Sequence, residues 1–137
     1  MRVFDDVLRT VVAFLRNHRG ETVLMRVKEE KTDRPGEFEE IFRDTYWNNT
    51  AYKDFMWKGK DGHYDPNPTL GEIRGKIVIL QDFARWTCPN PGEVASRPVP
   101  EFGICYNSFK IEDTFELRGN EALYDKWLKV KAQLWRC

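Results

Sequence analysis

The chain has 137 residues and a mass of 16.3 kDa, and its 22 Lys and Arg residues are balanced by 22 Asp and Glu residues. This length fits one domain with a buried core. The charge balance argues against a general nucleic-acid binder, which carries a basic surplus. No segment approaches the roughly 18 consecutive apolar residues of a membrane-spanning helix. Asp5 and Asp6 interrupt any secretory signal pattern, so we expect either an intracellular protein or a natural N-terminus upstream of Met1.

The first half of the chain predicts helix, strand and helix. Apolar residues recur at helical spacing over residues 4–17, and residues 22–27 are typical of a short buried strand. A second helix is predicted over residues 37–47. Three of its apolar side chains are expected to face inward: Phe38, Ile41 and Phe42. Five aromatic residues lie in this helix or follow it, and we expect them to pack in the core rather than to stack on a ligand: Tyr46, Trp47, Tyr52, Phe55 and Trp57.

The second half contains the strongest strand. Thr69 and Glu72 have the spacing of a capping box, which predicts one helical turn. Residues 76–81 include four consecutive branched aliphatic side chains, which is typical of a parallel strand covered on both faces. Residues 83–108 are predicted as a loop and residues 109–113 as a third strand. The last helix is expected over residues 121–136, with four apolar residues on one side: Leu123, Trp127, Val130 and Leu134.

The order of these elements indicates the fold class. Strands separated by intervals too long for hairpins predict an α/β protein with a parallel sheet. A sheet of three strands would leave the outer edges at residues 22–27 and 109–113 open, which natural proteins avoid. We therefore expect further strands on both sides in the complete domain.

The cysteines and histidines give weak signals. Cys88, Cys105 and Cys137 lack zinc-ligand spacing, and two histidines do not complete a site. Ordinary thiols are favoured; the alternative is a Cys88–Cys105 disulfide, which needs an oxidising compartment. His18 is expected in solvent after the first helix, and His63 at the end of the sheet opposite the charged strand ends, so neither is placed for acid–base catalysis.

Charged residues follow each predicted strand. Ligands of parallel sheets bind at the carboxyl ends of the strands. Carboxylates and cations there could bind a polyhydroxyl ligand, although solvated strand ends are also commonly charged. These positions hold Lys28, Glu29, Glu30, Asp82, Arg85, Glu112 and Asp113, with Trp86 nearby.

Three blocks of the sequence resemble one enzyme family. Residues 4–8, 14–15 and 21–30, then 70–80, then 109–115 are similar to phosphatidylinositol-specific phospholipase C of the bacterial type and its fungal relatives. The blocks follow the family's order and cover most of the chain. The resemblance implies a TIM-type (β/α) barrel that cleaves the phosphodiester of phosphatidylinositol. In that family one histidine acts as general base on the inositol 2-hydroxyl and a second protonates the departing oxygen, giving a cyclic inositol phosphate.

The resemblance also implies substrate-binding residues. Lys28 falls at the position of an inositol-contacting lysine, and Glu30 matches a nearby carboxylate. Asp113 falls at the position of an inositol-hydroxyl acceptor. Phe115 stands where relatives often carry a ring-stacking tyrosine, so it is expected to stack without a phenolic hydrogen bond.

Other positions extend or depart from that pattern. Asp82 stands where bacterial relatives can carry an inositol-contacting arginine, and Arg85, three residues later, could substitute for that arginine. Trp86 is expected to touch the membrane surface or to fold back over the barrel mouth. Lys28 stands where calcium-dependent relatives hold a glutamate ligand, so we expect no metal and no cofactor. The implied partners are phosphatidylinositol or a related head group and a membrane surface, with no nucleic acid, and the implied location is secreted or peripheral to a membrane.

Both family histidines would lie upstream of residue 1. We therefore interpret residues 1–137 as the central part of one catalytic domain, a partial barrel missing N- and C-terminal strands, that is inactive alone. Two alternatives remain open. One is a head-group-binding or interaction module without turnover. The other is a different barrel phosphodiesterase, such as a metal-dependent glycerophosphodiester phosphodiesterase.

Overall fold

Helices and parallel strands alternate along the chain. The structure is a computed structural model that describes residues 3–30, 36–83, 88, 101–109 and 121–134. Its α-helices are α1 (Phe4–Asn17), α2 (Glu37–Phe42), α3 (Leu70–Ile73) and α4 (Glu121–Leu134). Its strands are β1 (Val23–Lys28), β2 (Ile77–Asp82) and β3 (Ile104–Cys105). A π-helical turn, Arg43–Trp47, continues α2, and a 3₁₀ turn, Tyr106–Ser108, follows β3.

The strands form one parallel sheet in the order β1-β2-β3. The register pairs Val23 with Ile77 at one end of β1 and Lys28 with Asp82 at the other. In the part of the chain that the structure describes, β1 and β3 each pair with one strand only. The predicted α/β class and parallel sheet are confirmed.

Helices α1 and α2 cover one face of the sheet. On α1, Leu8, Val12 and Leu15 are almost fully buried, and they belong to the same apolar cluster as Ile77 and Ile79 of β2. Successive strand residues point to opposite faces, so alternate residues of β1 and β2 supply this core. Asp5 and Asp6 in the first turn of α1 stabilise it, because carboxylates interact favourably with the positive end of a helix.

Within the described ranges of the chain, a second apolar cluster covers the other face of the sheet at β2 and β3. There Val78 of β2 and Ile104 of β3 are buried against Trp57 and Ile73. Leu24 of β1, on the same face, is 56% exposed. On this face the apolar cluster thus covers β2 and β3, whereas β1 exposes Leu24 and the charged side chains of Arg26 and Lys28.

The third strand differs from the prediction. β3 lies at Ile104–Cys105, inside the segment predicted as a loop, whereas Phe109 is outside any strand and half-exposed. Residues 110–113 lie outside the described residues. Gly103 explains the position of β3, because its φ of 68° and missing Cβ let the chain approach β2; a Cβ there would lie 2.2 Å from the carbonyl oxygen of Ile79.

The second helix also departs from the prediction. α2 ends at Phe42 and continues as the π-helical turn, so the predicted helix over residues 37–47 changes type midway. Phe42 is buried, but Ile41 is 52% exposed and does not face inward as predicted. The aromatic residues between 46 and 57 are buried or half-buried, which confirms their predicted place in the core.

Cys88 and Cys105 form a disulfide, so the preference for ordinary thiols was wrong. The pairing depends on β3, because Cys105 aligns with Gln81 near the end of β2, and the Cα atoms of the two cysteines are 5.4 Å apart. The early strand at residue 104 was not visible from sequence. Cys137 lies outside the described residues.

The last helix confirms the prediction at residues 121–134 but leaves its apolar stripe uncovered. Leu123, Trp127 and Leu134 are each at least half exposed. No helix in the described residues is both long and apolar enough to cross a lipid bilayer.

Candidate functional site

Charged side chains gather at the carboxyl end of β1 and β2. Arg26 and Lys28 are two residues apart on β1, so they point to the same face of the sheet, opposite to α1 and α2. Asp82 is the register partner of Lys28 on β2 and shares that face with Leu80. We call Arg26, Lys28, Glu30, Asp82 and Tyr106 the strand-end cluster.

Lys28 and Glu30, both predicted as substrate-binding residues, form an exposed ion pair. The Lys28 side chain is 49% exposed, and its Nζ lies 3.3 Å from Oε1 of Glu30. An exposed ion pair of this length contributes little to stability. Lys28 therefore sits at the carboxyl end of the sheet as an accessible cation.

Arg26 and Asp82 form a tighter pair beside it. Nε and Nη2 of Arg26 donate to Oδ2 of Asp82 over 2.9 Å and 2.7 Å. The Cζ atom of Arg26 also lies 3.9 Å from the ring centroid of Tyr106, in the turn that follows β3. Asp82 on β2 and Tyr106 in the turn after β3 thus hold the guanidinium group of Arg26 from two sides.

The sequence reasoning missed Arg26 and Tyr106. Arg26 could have been found from strand alternation, because it precedes Lys28 by two residues and must share its face. Tyr106 had no such signal, since the position of β3 was predicted incorrectly. Four other predicted site residues lie outside the described residues: Arg85, Trp86, Asp113 and Phe115.

A cavity of about 420 Å³ opens beside the carboxyl end of β1, between α1 and α2. Its walls are mainly apolar, and the two cations of β1 lie at its side. The residues that line it are Phe4, Arg26, Val27, Lys28, Phe38, Ile41, Phe42 and Tyr46.

A larger cavity, about 700 Å³, lies at the amino end of the sheet. Two of its four lysines contact nearby acceptors: Lys60 Nζ lies 2.7 Å from Oε1 of Glu72, and Lys76 Nζ donates to the carbonyl of Asp54 over 2.6 Å. The Lys60 ammonium, with two hydrogen bonds from Thr69, lowers the pKa of Glu72 to about 2. We assign the candidate site to the carboxyl end because parallel sheets bind ligands there.

The histidines lie at the amino end, as predicted. His18 is exposed just before β1, and its Nδ1 lies 2.9 Å from the carbonyl oxygen of Phe14. His63 is exposed in a turn bridged to Lys60. Neither is near the strand-end cluster. Among the described residues, no group of three or more His, Cys, Asp or Glu side chains is arranged to hold a metal ion.

Known proteins provide an independent comparison. No family model matches the chain. A curated relative from Staphylococcus aureus (strain Newman), named 1-phosphatidylinositol phosphodiesterase, is 36% identical over 70 residues, which cover 49% of this chain and 21% of that protein. The resemblance to phosphatidylinositol-specific phospholipase C is confirmed. The chain thus matches about a fifth of the length of its curated relative.

Solved phospholipase C structures are similar in fold. The Listeria monocytogenes enzyme aligns with a TM-score of 0.68 and 21% identity over 96% of this chain and 45% of that one. A Staphylococcus aureus phospholipase C, from work on the modulation of its membrane binding, aligns with a TM-score of 0.53 and 26% identity over 86% of this chain and 36% of that one. The path of this chain therefore follows that of phospholipases C over most of its length.

Proposed function

We propose that this chain forms the head-group-binding part of a phosphatidylinositol-specific phospholipase C-type domain, a phosphoric diester hydrolase or lyase. The observation that carries the proposal is the strand-end cluster, an accessible lysine among ion pairs at the carboxyl end of a parallel sheet. It occurs in a chain whose relatives bear that enzyme name. The substrate class is phosphatidylinositol or a related lipid head group at a membrane surface.

In this proposal residues 1–137 are the central part of one TIM-type barrel. Helices α1 and α2 cover one face of the sheet, as in a barrel whose helices form the outer layer. The exposed Leu24 on the opposite face suits a position that further strands would enclose. The carboxyl end of the strands is then the mouth of the barrel.

Lys28 is the residue proposed to meet the head group. Its ammonium group carries three donors and no acceptor, so it can bind an inositol or phosphate oxygen but cannot ligate calcium. Phosphoryl transfer spreads negative charge over the equatorial oxygens, and a fixed positive charge stabilises it. Positive charge at this position thus comes from a side chain rather than a metal.

The remaining roles are proposed from the resemblance. Asp113 accepts a ring hydroxyl and Phe115 stacks on the ring, while Glu30 orients Lys28. Arg85 provides further head-group contact, and Trp86 touches the lipid surface. Each of these contacts would position the inositol for attack on phosphorus.

The chain alone is proposed to bind without turnover. Both proton transfers need a group that titrates near neutral pH, and His18 and His63 lie at the opposite end of the sheet. Incubation of the 137-residue chain with phosphatidylinositol should release no cyclic inositol phosphate by ³¹P NMR. Turnover that disappears in His63→Ala would contradict this assignment.

Binding is the direct test of the proposal. Sedimentation with vesicles of phosphatidylcholine plus phosphatidylinositol should show binding, whereas phosphatidylglycerol, of equal charge but without the ring, should bind more weakly. Lys28→Ala should weaken phosphatidylinositol binding by about tenfold, the loss of one charge-assisted hydrogen bond. The matched control is Lys129→Ala, an exposed lysine on α4. Equal binding to both lipids would sink the proposal.

The same binding measurement in the presence of a chelator distinguishes this proposal from a metal-dependent phosphodiesterase of similar fold. Phosphatidylinositol binding should be unchanged in excess EDTA, because Lys28 supplies the positive charge. Binding that is lost on chelation and restored by calcium would instead favour the metal-dependent class.

A further inference from the structure

Asp82 is held in one orientation by Arg26 of the neighbouring strand β1. Both contacts from Arg26 go to Oδ2, and Arg26 itself stacks on Tyr106. In the described part of the chain, no hydrogen bond is made to Oδ1 of Asp82, and the side chain is 20% exposed. The carboxylate therefore offers one oriented acceptor at the carboxyl end of β2.

We propose that Oδ1 of Asp82 binds a hydroxyl of the inositol ring and that Arg26 is the positioning residue that aims it. This inference rests on the proposed function and selects, among the carboxylates that follow the strands, the one that meets the ring. In the sequence, Asp82 departs from the family pattern because relatives can carry an inositol-contacting arginine at this position, and Arg85 is the suggested substitute for that arginine. The contact at this position comes from an acceptor rather than from a cation.

The chemistry of the pair fits a hydroxyl. An ionised carboxylate has acceptors only, and a ring hydroxyl can donate to it. A hydrogen bond to a charged group is about twice as strong as one between neutral groups. Since Arg26 already satisfies Oδ2, the carboxylate keeps its orientation without the ligand, which lowers the entropy lost on binding.

The charge balance around it points the same way. Each cation of the cluster faces a carboxylate: Arg26 faces Asp82, and Lys28 faces Glu30. The cluster therefore has no surplus of positive charge to attract a polyanion. A carboxylate at the ring also repels a phosphate attached there, since like charges at close range are unfavourable. Asp82 should therefore favour an inositol ring whose hydroxyl groups carry no phosphate.

The test compares three lipids in phosphatidylcholine vesicles: phosphatidylinositol, phosphatidylinositol monophosphate and phosphatidylglycerol. Asp82→Asn should weaken binding to phosphatidylinositol by about tenfold. It should weaken monophosphate binding less, because a repulsion is removed together with the acceptor. The ratio of the two affinities is a readout that a purely structural defect would not move.

Matched variants complete the design. Glu21→Gln, an exposed carboxylate just before β1, should leave all affinities unchanged. Asp82→Glu keeps the charge but moves the oxygens, so it should also lose phosphatidylinositol binding; it serves as the second variant if Asp82→Asn melts early. Arg26→Ala should weaken phosphatidylinositol binding, and Arg26→Lys should restore part of the loss.

The outcomes separate the two proposals. If the unmodified chain prefers phosphatidylinositol over phosphatidylglycerol but Asp82→Asn and Asp82→Glu behave as Glu21→Gln does, the Asp82 contact is wrong and the proposed function stands. If the unmodified chain shows no preference for the inositol lipid, both are overturned. A tenfold loss in Asp82→Asn with a reduced preference for the unphosphorylated ring supports the contact.

Discussion

The side chain of Gln81 joins the end of β2 to the segment that enters β3. Its Oε1 accepts the backbone N–H of Phe102 over 3.2 Å, and its Nε2 donates to the carbonyl of Phe83 over 3.2 Å. Gln81 is fully buried. A buried polar side chain is therefore part of what sets the position of β3.

Replacing Gln81 should lower the free energy of unfolding even when the new side chain has a similar volume. Gln81→Leu keeps a similar size but leaves the Phe102 N–H without its acceptor in the core, which should lower the free energy of unfolding by about 2 kcal/mol. Urea denaturation measures this, with Leu80→Met as a neighbouring conservative control. Equal stability of Gln81→Leu and the original chain would show that this hydrogen bond is not needed.

Gly103 should tolerate no side chain. Gly103→Ala combines a left-handed φ of 68° with a Cβ placed 2.2 Å from the Ile79 carbonyl oxygen, so β3 must move away from β2. We expect a loss of at least about 3 kcal/mol in the free energy of unfolding. Gly62→Ala is the matched control, because its φ is 78° but nothing lies within 4 Å of the added Cβ. It should cost only about 1 kcal/mol, and similar losses for both would contradict the close approach.

The disulfide should stabilise the fold by lowering the conformational entropy of the unfolded chain. Cys88 and Cys105 are 17 residues apart, and closing a loop of that size contributes about 3 kcal/mol in the chain-entropy model. The double variant Cys88→Ser/Cys105→Ser should unfold at correspondingly lower urea concentration. Cys137→Ser serves as the control and should leave the midpoint unchanged. A double variant as stable as the original chain would contradict a stabilising role of the disulfide.

Glu72 should give a pH dependence in the acid range. Hydrogen bonds from Lys60 and Thr69 lower its pKa from 4.5 to about 2. Because the folded pKa is the lower one, this contribution is present above about pH 4.5 and is lost as the pH falls towards 2. The difference in melting temperature between the original chain and Glu72→Gln should shrink over that interval. Glu40→Gln, an exposed carboxylate of α2, should show no such trend; a constant difference for Glu72→Gln would exclude the linkage.

Local patterns were enough to predict much of the fold. The spacing of Leu8, Val12 and Leu15 specifies the buried side of α1, and the aliphatic run of β2 specifies its burial. The capping box was also correct, since the backbone N–H and the hydroxyl of Thr69 both donate to Glu72 over 2.8 Å. Each feature depends on residues that are close in sequence.

The features that sequence reasoning missed depend on distant residues. β3 has two residues, too few for a pattern, and its place is set by Gly103 against Ile79 and by Gln81. The contact of Arg26 with Asp82 joins residues 56 positions apart and needs the register of two strands. The place of Lys28 and Glu30 at the end of β1 could be predicted because a strand end needs no tertiary information.

The Cys88–Cys105 bond also changes how the chain can come apart. Because the two cysteines enclose residues 89–104, most of the connection between β2 and β3, cleavage of a single peptide bond within that loop opens a ring rather than separating two pieces. A nick after Glu93, for example, would leave both halves in one covalent molecule. Such a protein would migrate as one band on a non-reducing gel and as two bands once the thiols are reduced.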